Sequence, residues 1–183
     1  MTLLEMTGTP IGSYAPDFEL PDVDSTVHHL ARSLENCQAI GVIFLCNHCP
    51  YVQQYIDRLN QLHDDLSSKD VSFIGINSND ARQNPEDAFD RMQSFAKKYQ
   101  LNFPYLWDPT QDVARSFGAL KTPHAFLLNS DGILCYSGGI DDNADPSQVK
   151  ERYLQNAIAQ LLAGQTIDPD STDPIGCSLK WRR

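Results

Sequence analysis

The sequence lacks three features that would indicate a membrane, secreted or nucleic-acid-binding protein. No apolar run approaches the ~18 residues of a membrane-spanning helix. Basic residues are scarce, with 14 Lys and Arg against 24 Asp and Glu and a net charge of −10, so a basic face for nucleic acid or an anionic membrane is not expected. Residues 1–18 contain no basic stretch followed by a sustained apolar stretch, which argues against a secretory signal. We therefore expect a cytoplasmic location with no nucleic-acid or membrane partner.

A framework of disulfides is not expected either. An apolar fraction of 41% and a charged fraction of 21% are ordinary for a globular chain, and 183 residues can bury a core without cross-links. The cysteines form an odd set, which argues against full pairing; they are Cys37, Cys46, Cys49, Cys135 and Cys177. The length predicts one domain over 1–183, with an N-terminal extension over 1–38 and an aperiodic C-terminal tail over 165–183.

Alternating strand and helix patterns predict an α/β fold. The continuous apolar run from 39 to 46 predicts a strand buried on both faces. Apolar residues at helical spacing follow from about 49 to 66. A second buried strand is predicted over 71–76, and a second amphipathic helix is predicted up to Tyr99. A right-handed crossover makes the two strands parallel.

Three Asx-Pro motifs predict the starts of the later helices. Asn84, Asp108 and Asp145 each precede a proline, as N-cap residues do when proline occupies the first helical position. Gly118 and Gly164 lie where C-terminal glycines would end the second and third of these helices.

The region after these motifs predicts a hairpin and completes the sheet. Residues 124–128 and 133–136 are apolar runs separated by a turn that ends in Asp131-Gly132. A hairpin is antiparallel, so the sheet contains parallel and antiparallel strands. The elements together predict a central mixed β-sheet flanked by helices on both faces, with short strands in the N-terminal extension.

The candidate for chemistry is a C-x-x-C pair, Cys46 and Cys49, where the first strand meets its helix. The helix N-terminus offers unpaired amides and a partial positive charge, which favour a thiolate, the nucleophile of disulfide exchange. We expect Cys46 to be the more exposed, attacking cysteine and Cys49 to resolve the mixed disulfide. Two alternatives remain open, namely half of a zinc site completed by His48 or another cysteine, and inert thiols.

The C-x-x-C pair together with Thr122-Pro123 resembles the thioredoxin superfamily. Residues 15–20 (APDFEL) and 103–109 (FPYLWDP) resemble its peroxiredoxin branch, the AhpC/TSA or redoxin group. The segments FLCNHCPYV and GCSLKW resemble a peroxiredoxin-like group within this superfamily. The resemblance covers nearly the whole chain.

The resemblance implies a thioredoxin-like fold with a redox-active dithiol. Cys46 matches the nucleophilic cysteine of thioredoxins, and Cys49 matches the resolving one. Pro123 matches the cis-proline that packs beside the disulfide. The backbone of Thr122, the preceding residue, is then expected to pair with an extended substrate.

The chain departs from the patterns of both branches. Peroxiredoxins place their peroxidatic cysteine where Cys49 stands, but their Thr or Ser and their Pro are replaced here by Cys46 and Val42. Thioredoxins carry a buried Asp where Ile40 stands. These differences favour disulfide exchange over peroxide reduction and require another group, or water, for proton transfer.

Four further residues are candidate auxiliaries of the dithiol: Asn47, His48, Pro50 and Cys177. A protonated His48 would stabilise a thiolate and raise the reduction potential, whereas a solvent-facing His48 would do little. Cys177 is either a third redox thiol that exchanges with Cys46 or Cys49, or an apolar plug anchored with Trp181.

The other candidates have structural interpretations. Cys37 and Cys135 are predicted to be packing residues, since free cysteines are often buried. His124 either faces the site or, as we expect, is a hydrogen-bonded strand histidine. The segment 79–87 is predicted to be a connecting loop without catalytic groups.

The sequence therefore predicts a cytoplasmic thiol–disulfide oxidoreductase that needs no metal or organic cofactor. Its expected partners are protein or small-molecule disulfides and an external dithiol reductant. The alternatives are a thiol peroxidase with an antioxidant role, which would act on peroxides, and a non-enzymatic redox sensor whose tail moves on oxidation.

Overall fold

A computed structural model describes residues 8–183 as nine strands and five α-helices. The strands are β1 (Glu19–Pro21), β2 (Val27–His29), β3 (Ala39–Leu45), β4 (Val71–Asn77), β5 (Tyr105–Trp107), β6 (Lys121–Thr122), β7 (His124–Asn129), β8 (Leu134–Gly138) and β9 (Cys177–Ser178). The helices are α1 (Leu30–Leu34), α2 (Pro50–Ser67), α3 (Phe89–Lys98), α4 (Asp112–Phe117) and α5 (Tyr153–Leu162). No helix within 8–183 combines the length and apolar character needed to cross a bilayer.

The central sheet has five strands in the order β5-β4-β3-β7-β8. β3, β4 and β5 are parallel, whereas β7 is antiparallel to both β3 and β8. The predicted mixed sheet, its parallel pair and its hairpin are thus confirmed. The short edge strand β5 was not predicted, because three residues before Asp108-Pro109 give no periodic signal.

Both faces of the sheet are covered. Along β3, Ile43 and Leu45 enter one apolar core with α2, α3 and α5, whereas Val42 and Phe44 enter a second core with α1 and α4. All seven β3 residues are buried. Burial on two faces explains why this strand is an unbroken apolar run rather than an alternating one.

The predicted starts of the later helices are wrong by several residues. The side chains of Asn84 and Asp145 do cap helical turns, but these are short 3₁₀ turns over Pro85–Asp87 and Pro146–Gln148. Ala88 and Val149 then adopt extended backbone, so α3 and α5 begin further along the chain. The Asx-Pro motif satisfies the same first amides in either type of helix.

The Asp108-Pro109 motif does not mark the start of α4 for a different reason. Gln111 adopts a left-handed conformation (φ 66°) just before α4. The Asp108 carboxylate reaches forward to accept the amide of Ala114 at 3.0 Å, so it caps the helix from a distance. Gly118 (φ 80°) and Gly164 (φ 68°) take the predicted left-handed positions after α4 and α5.

Two small sheets flank the central one. Short strands were predicted in the N-terminal extension, and β1 and β2 form an antiparallel pair there, while residues 1–7 lie outside the described part. β6 pairs antiparallel with β9. The aperiodic tail therefore returns to the body of the protein and forms a strand that the sequence did not predict.

Candidate active site

The C-x-x-C motif spans the gap between β3 and α2. Cys46 directly follows the strand, Cys49 is the N-cap of α2, and Pro50 is its first residue. Both cysteines are free and 0% exposed. The expectation that Cys46 is the more exposed of the two is therefore wrong, because other segments cover both sulfurs.

The motif meets the second predicted segment, Thr122-Pro123, whose peptide bond is cis. Thr122 contacts both cysteines, with its Oγ1 3.2 Å from the Cys46 sulfur and its carbonyl oxygen accepting the Cys49 thiol at 3.4 Å. The structure thus brings together these sequence-predicted residues. Because Thr122 is itself buried, these contacts take place away from water.

Hydrogen bonds and charge shift the pKa values of the two thiols in opposite directions. The pKa of Cys49 is lowered to about 5, and the hydrogen bond with Cys46 is the largest cause. Burial raises this pKa, and hydrogen bonds from Cys177 lower it further. The amide of Val52 in α2 adds a further donor. The pKa of Cys46 is raised by its hydrogen bond to Cys49, by burial and by the charge of Asp87. These shifts make Cys49 the more acidic thiol of the pair and Cys46 the less acidic one.

The carboxylate of Asp87 organises the loop between the cysteines. Its Oδ1 accepts the amides of Asn47 at 2.8 Å and His48 at 3.1 Å. Its Oδ2 faces His48 Nδ1 at 2.5 Å and accepts Asn79 Nδ2 at 2.9 Å. A fully buried carboxylate is tolerated because it is saturated with donors.

Sequence reasoning missed Asp87, since the 79–87 segment reads as a connecting loop. One signal was available, because this loop follows the carboxyl end of a parallel strand, where ligands and chemistry tend to lie in α/β sheets. The choice of Asp87 over its acidic neighbour Glu86 depends on tertiary contacts.

Asn47 fixes the loop from its other side. Its Oδ1 accepts the hydroxyl of buried Tyr105 at 2.7 Å, and its Nδ2 donates to the carbonyl of Glu86 at 2.8 Å. Gln53 Nε2 donates to the Asn47 carbonyl at 3.1 Å. The dipeptide between the cysteines is therefore held rigidly rather than exposed as a flexible turn.

Cys46, His48 and Asp87 are the candidate ligands for a metal ion. Their donor atoms all lie within 4.8 Å of one another. His48 and Asp87 already bond each other, and the Cys46 thiol bonds Thr122 Oγ1. Each of these three side chains is thus hydrogen-bonded within the protein, and together they are the cluster to which the zinc alternative applies.

The remaining candidates lie in different environments. Cys177 is half-buried and pairs with Thr122 in the β6–β9 ladder, beside the dithiol. His124 is buried with both ring nitrogens engaged, by the amide of Leu120 and the hydroxyl of Ser137, each at 3.2 Å. This geometry matches the predicted hydrogen-bonded strand histidine.

Two cysteines lie apart from the candidate site. The Cys37 thiol donates to Ser72 Oγ at 3.5 Å, and the Cys135 thiol donates to the carbonyl of Ile133 at 3.3 Å. Both are half-buried, and their partners are outside the dithiol site.

Comparison with known proteins identifies related sequences. The AhpC/TSA family pattern matches residues 11–137. Thiol-disulfide oxidoreductase ResA from Geobacillus thermodenitrificans is 26% identical over 128 residues, which cover 70% of this chain and 68% of that protein.

Solved structures extend the comparison over nearly the whole chain. An uncharacterized conserved protein from Geobacillus kaustophilus has 36% identity and a TM-score of 0.87, and the match covers 94% of this chain and 93% of that one. A putative thiol:disulfide interchange protein DsbE from Chlorobium tepidum has a TM-score of 0.63 at 19% identity, and the match covers 85% of this chain and 96% of that one. These likenesses confirm the thioredoxin-like α/β fold.

Proposed function

The chain belongs to the AhpC/TSA family, and we propose that it is a thiol–disulfide oxidoreductase that works through a Cys46–Cys49 couple. The observation that carries the proposal is the buried C-x-x-C pair at the start of α2, whose sulfurs both contact Thr122, Cys46 at 3.2 Å from its Oγ1 and Cys49 at 3.4 Å from its carbonyl oxygen. The pKa of Cys49 is lowered and that of Cys46 is raised. Such a split supplies a nucleophile and a protonated partner in one site. The similarity to thiol-disulfide oxidoreductase ResA supports the same chemistry.

The proposed order of attack is the reverse of the order that the sequence suggested. The Cys49 thiolate attacks one sulfur of a substrate disulfide, which forms a mixed disulfide and releases the other half of the substrate as a thiolate. Cys46 then loses its proton and attacks the Cys49 sulfur. The second half of the substrate leaves as a thiolate, and the Cys46–Cys49 disulfide closes. An external dithiol returns two electrons and restores both thiols.

A proton acceptor for Cys46 is available in the loop. The donor atoms of the His48–Asp87 pair lie within 4.8 Å of the Cys46 sulfur. We assign this pair the task that the buried Asp of thioredoxins would perform at Ile40. The carboxylate also orients the imidazole, because His48 Nδ1 faces it at 2.5 Å.

The proposal includes disulfide-containing substrates, an external dithiol and a cytoplasmic location. Three cysteines outside the couple are free, namely Cys37, Cys135 and Cys177. Unpaired thiols suit a reducing compartment. Fractionation of the source cells tests the location, and recovery of the protein outside the cytoplasm would contradict it.

Reduction of insulin disulfides by dithiothreitol tests the activity. The wild-type protein should accelerate this reduction, and Cys49→Ser should lower the catalysed rate by at least about a hundredfold, because the attacking thiolate is lost. Cys46→Ser should accumulate with a disulfide at Cys49 and should not form the Cys46–Cys49 bond, which mass spectrometry shows. Cys37→Ser, which removes a thiol outside the site, is the matched control. Full activity of Cys49→Ser would refute the assignment.

Thiol peroxidase activity is the second candidate. Cys49 has the lowered pKa of a peroxide-reactive thiolate and stands where the AhpC/TSA resemblance places the peroxidatic cysteine. Peroxide would convert the Cys49 thiolate into a sulfenic acid, and the Cys46 thiol would then form the disulfide and release water. Catalytic consumption of hydrogen peroxide without insulin reduction would favour this activity over the first.

A further inference from the structure

The C-terminal strap, residues 174–182, lies directly over the dithiol. In the β6–β9 ladder, Cys177 pairs with Thr122 and Ser178 pairs with Lys121. The amide of Leu179 extends the contact by donating to the carbonyl of Leu120 at 2.9 Å. The residue opposite Thr122 is therefore a cysteine, and Thr122 itself contacts the sulfurs of the C-x-x-C motif.

The strap is anchored beyond this ladder. Leu179 is buried in the second apolar core. The Lys180 carbonyl accepts the amide of Asp80 at 2.9 Å and Gln111 Nε2 at 2.8 Å, while its amide donates to Asn79 Oδ1 at 2.9 Å. A buried side chain and three hydrogen bonds fix the end of the strap, so Cys177 is held in register.

The strap also approaches Thr122 more closely than a side chain would permit. A Cβ on Gly176 would lie 2.2 Å from the Thr122 carbonyl oxygen. Glycine at this position allows the backbone to lie against the cis-proline segment, and the next residue is Cys177.

Cys177 packs against the apolar core that contains Cys46 and Cys49. Its thiol and its backbone both contribute to the lowered pKa of Cys49. Cys177 is half-buried, whereas Cys46 and Cys49 are 0% exposed. The anchored strap therefore holds the Cys177 thiol beside the dithiol, where it can meet a sulfur that is bonded to Cys49.

We infer that Cys177 is a third redox thiol, which resolves the mixed disulfide on Cys49 and then passes the new disulfide to Cys46. The inference rests on the proposed function, since it needs Cys49 as the attacking thiolate. It gives the strap a catalytic part in disulfide exchange in addition to its cover over the site.

The exchange balances without an added oxidant. Cys49 attacks the substrate disulfide and releases one thiolate, which leaves a Cys49–substrate disulfide. Cys177 gives its proton to the first substrate thiolate and attacks the Cys49 sulfur, which releases the second substrate thiolate and forms Cys49–Cys177. Cys46 then attacks the Cys49 sulfur and leaves Cys46–Cys49, while its proton passes to the freed Cys177 thiolate. The substrate gains two electrons, and the chain loses two.

Charge controls when Cys177 can act. The pKa of Cys177 is raised to about 11, first by burial and then by the hydrogen bond and negative charge of Cys49, whereas Lys180 opposes the shift. Once Cys49 is bonded to substrate, its negative charge is gone and the influence of Lys180 remains. Cys177 is half-buried, whereas Cys46 is 0% exposed. Because burial disfavours a thiolate, Cys177 is the thiol that loses its proton more readily for the first resolving step.

Tryptic mapping distinguishes the two disulfides. Trypsin places Cys37, Cys46 and Cys49 in one peptide, 33–58, and Cys177 in another, 153–180. A Cys46–Cys49 bond is therefore internal to one peptide, whereas Cys49–Cys177 joins two, and fragmentation of the peptides shows which cysteines carry the alkyl group. Reduced full-length protein is mixed with one equivalent of 4,4′-dithiodipyridine, quenched with acid at successive times, alkylated with N-ethylmaleimide and digested.

The wild-type protein should show the joined peptides first and the internal disulfide later. Cys46→Ser should accumulate the joined peptides as its final product. Cys46→Ser/Cys177→Ser should remain as the pyridyl adduct on Cys49, and the matched control Cys46→Ser/Cys135→Ser should still form the cross-link. If the Cys46 variants fail to fold, the wild-type time course decides alone.

The results that would overturn the role of Cys177 differ from those that would refute the proposed function. A wild-type protein that closes Cys46–Cys49 without any joined peptide at early times would overturn the role of Cys177 and leave the proposed function standing. The same holds for a folded Cys46→Ser protein that stops at the Cys49 adduct. A wild-type protein that forms neither the adduct nor a disulfide at Cys49 would refute the proposed function itself.

Discussion

Replacing Asp87 by asparagine perturbs the loop between the two cysteines with almost no change of shape. An asparagine that keeps its oxygen on the amides of Asn47 and His48 turns its NH₂ group toward Asn79 Nδ2, which the carboxylate accepts at 2.9 Å. Asn79 cannot rotate its amide to compensate, because its Oδ1 already accepts the amide of Lys180 at 2.9 Å. A buried donor is then left without an acceptor.

The magnitude follows from two contributions. A buried unpaired donor costs about 1–3 kcal/mol, and the remaining bonds lose the strengthening that an ionised acceptor provides. We expect Asp87→Asn to lower the free energy of unfolding by about 3 kcal/mol. A change of this size lowers the melting temperature by roughly 6–12 °C in a chain of this length.

Urea unfolding of the reduced protein at pH 7, followed by far-ultraviolet circular dichroism, measures this change. Asp90→Asn is the matched control, because Asp90 is an exposed carboxylate in the first turn of α3. It should change the free energy of unfolding by no more than about 0.5 kcal/mol. Equal effects of the two substitutions would show that the Asp87 carboxylate does not hold the loop.

Two pH profiles test the electrostatics. Because the pKa of Cys49 is lowered to about 5, the thiolate absorbance of the reduced protein should rise on passing from pH 4 to pH 6, and Cys49→Ser should lose that step; a first step near pH 8.5 would contradict the assignment. Burial, and then the charge of Lys121, lowers the pKa of His124 to about 4, so the unfolded chain binds its proton at higher pH than the folded chain. The free energy of unfolding should therefore fall by up to about 3 kcal/mol from pH 7 to pH 4, and a His124→Gln variant should lack that part of the slope in urea titrations. Equal slopes in the two proteins would refute a neutral buried histidine.

The sequence predicted the central sheet better than the ends of its helices. The strand that became β3 was recognisable because it is apolar on both faces, and the hairpin was recognisable from its Asp-Gly turn. The Asx-Pro motifs misplaced α3 and α5 because the caps of Asn84 and Asp145 stabilise a single turn of either helix type. The choice between the two types is made by the following residues, whose conformation depends on packing.

The site was predicted in part for a similar reason. The C-x-x-C pair and Thr122-Pro123 are local motifs, so sequence spacing revealed them. The ordering of the two thiols depends on partners that are distant in sequence. Cys177 lowers the pKa of Cys49, and Asp87 raises the pKa of Cys46. Neither interaction has a periodic signature, and both act in the direction opposite to the order taken from the resemblance.

Asn79 connects these two distant influences. Its Nδ2 donates to the Asp87 carboxylate at 2.9 Å, and its Oδ1 accepts the amide of Lys180 at 2.9 Å. One side chain therefore joins the loop that holds the Cys46 side of the dithiol to the strap that carries Cys177. The side-chain amide of Asn79 has one donor end and one acceptor end. It therefore cannot keep both hydrogen bonds if either partner changes from donor to acceptor or from acceptor to donor. The segment 79–87 is thus the structural link between the two thiols that flank Cys49, although it reads in the sequence as a connection between a strand and a helix.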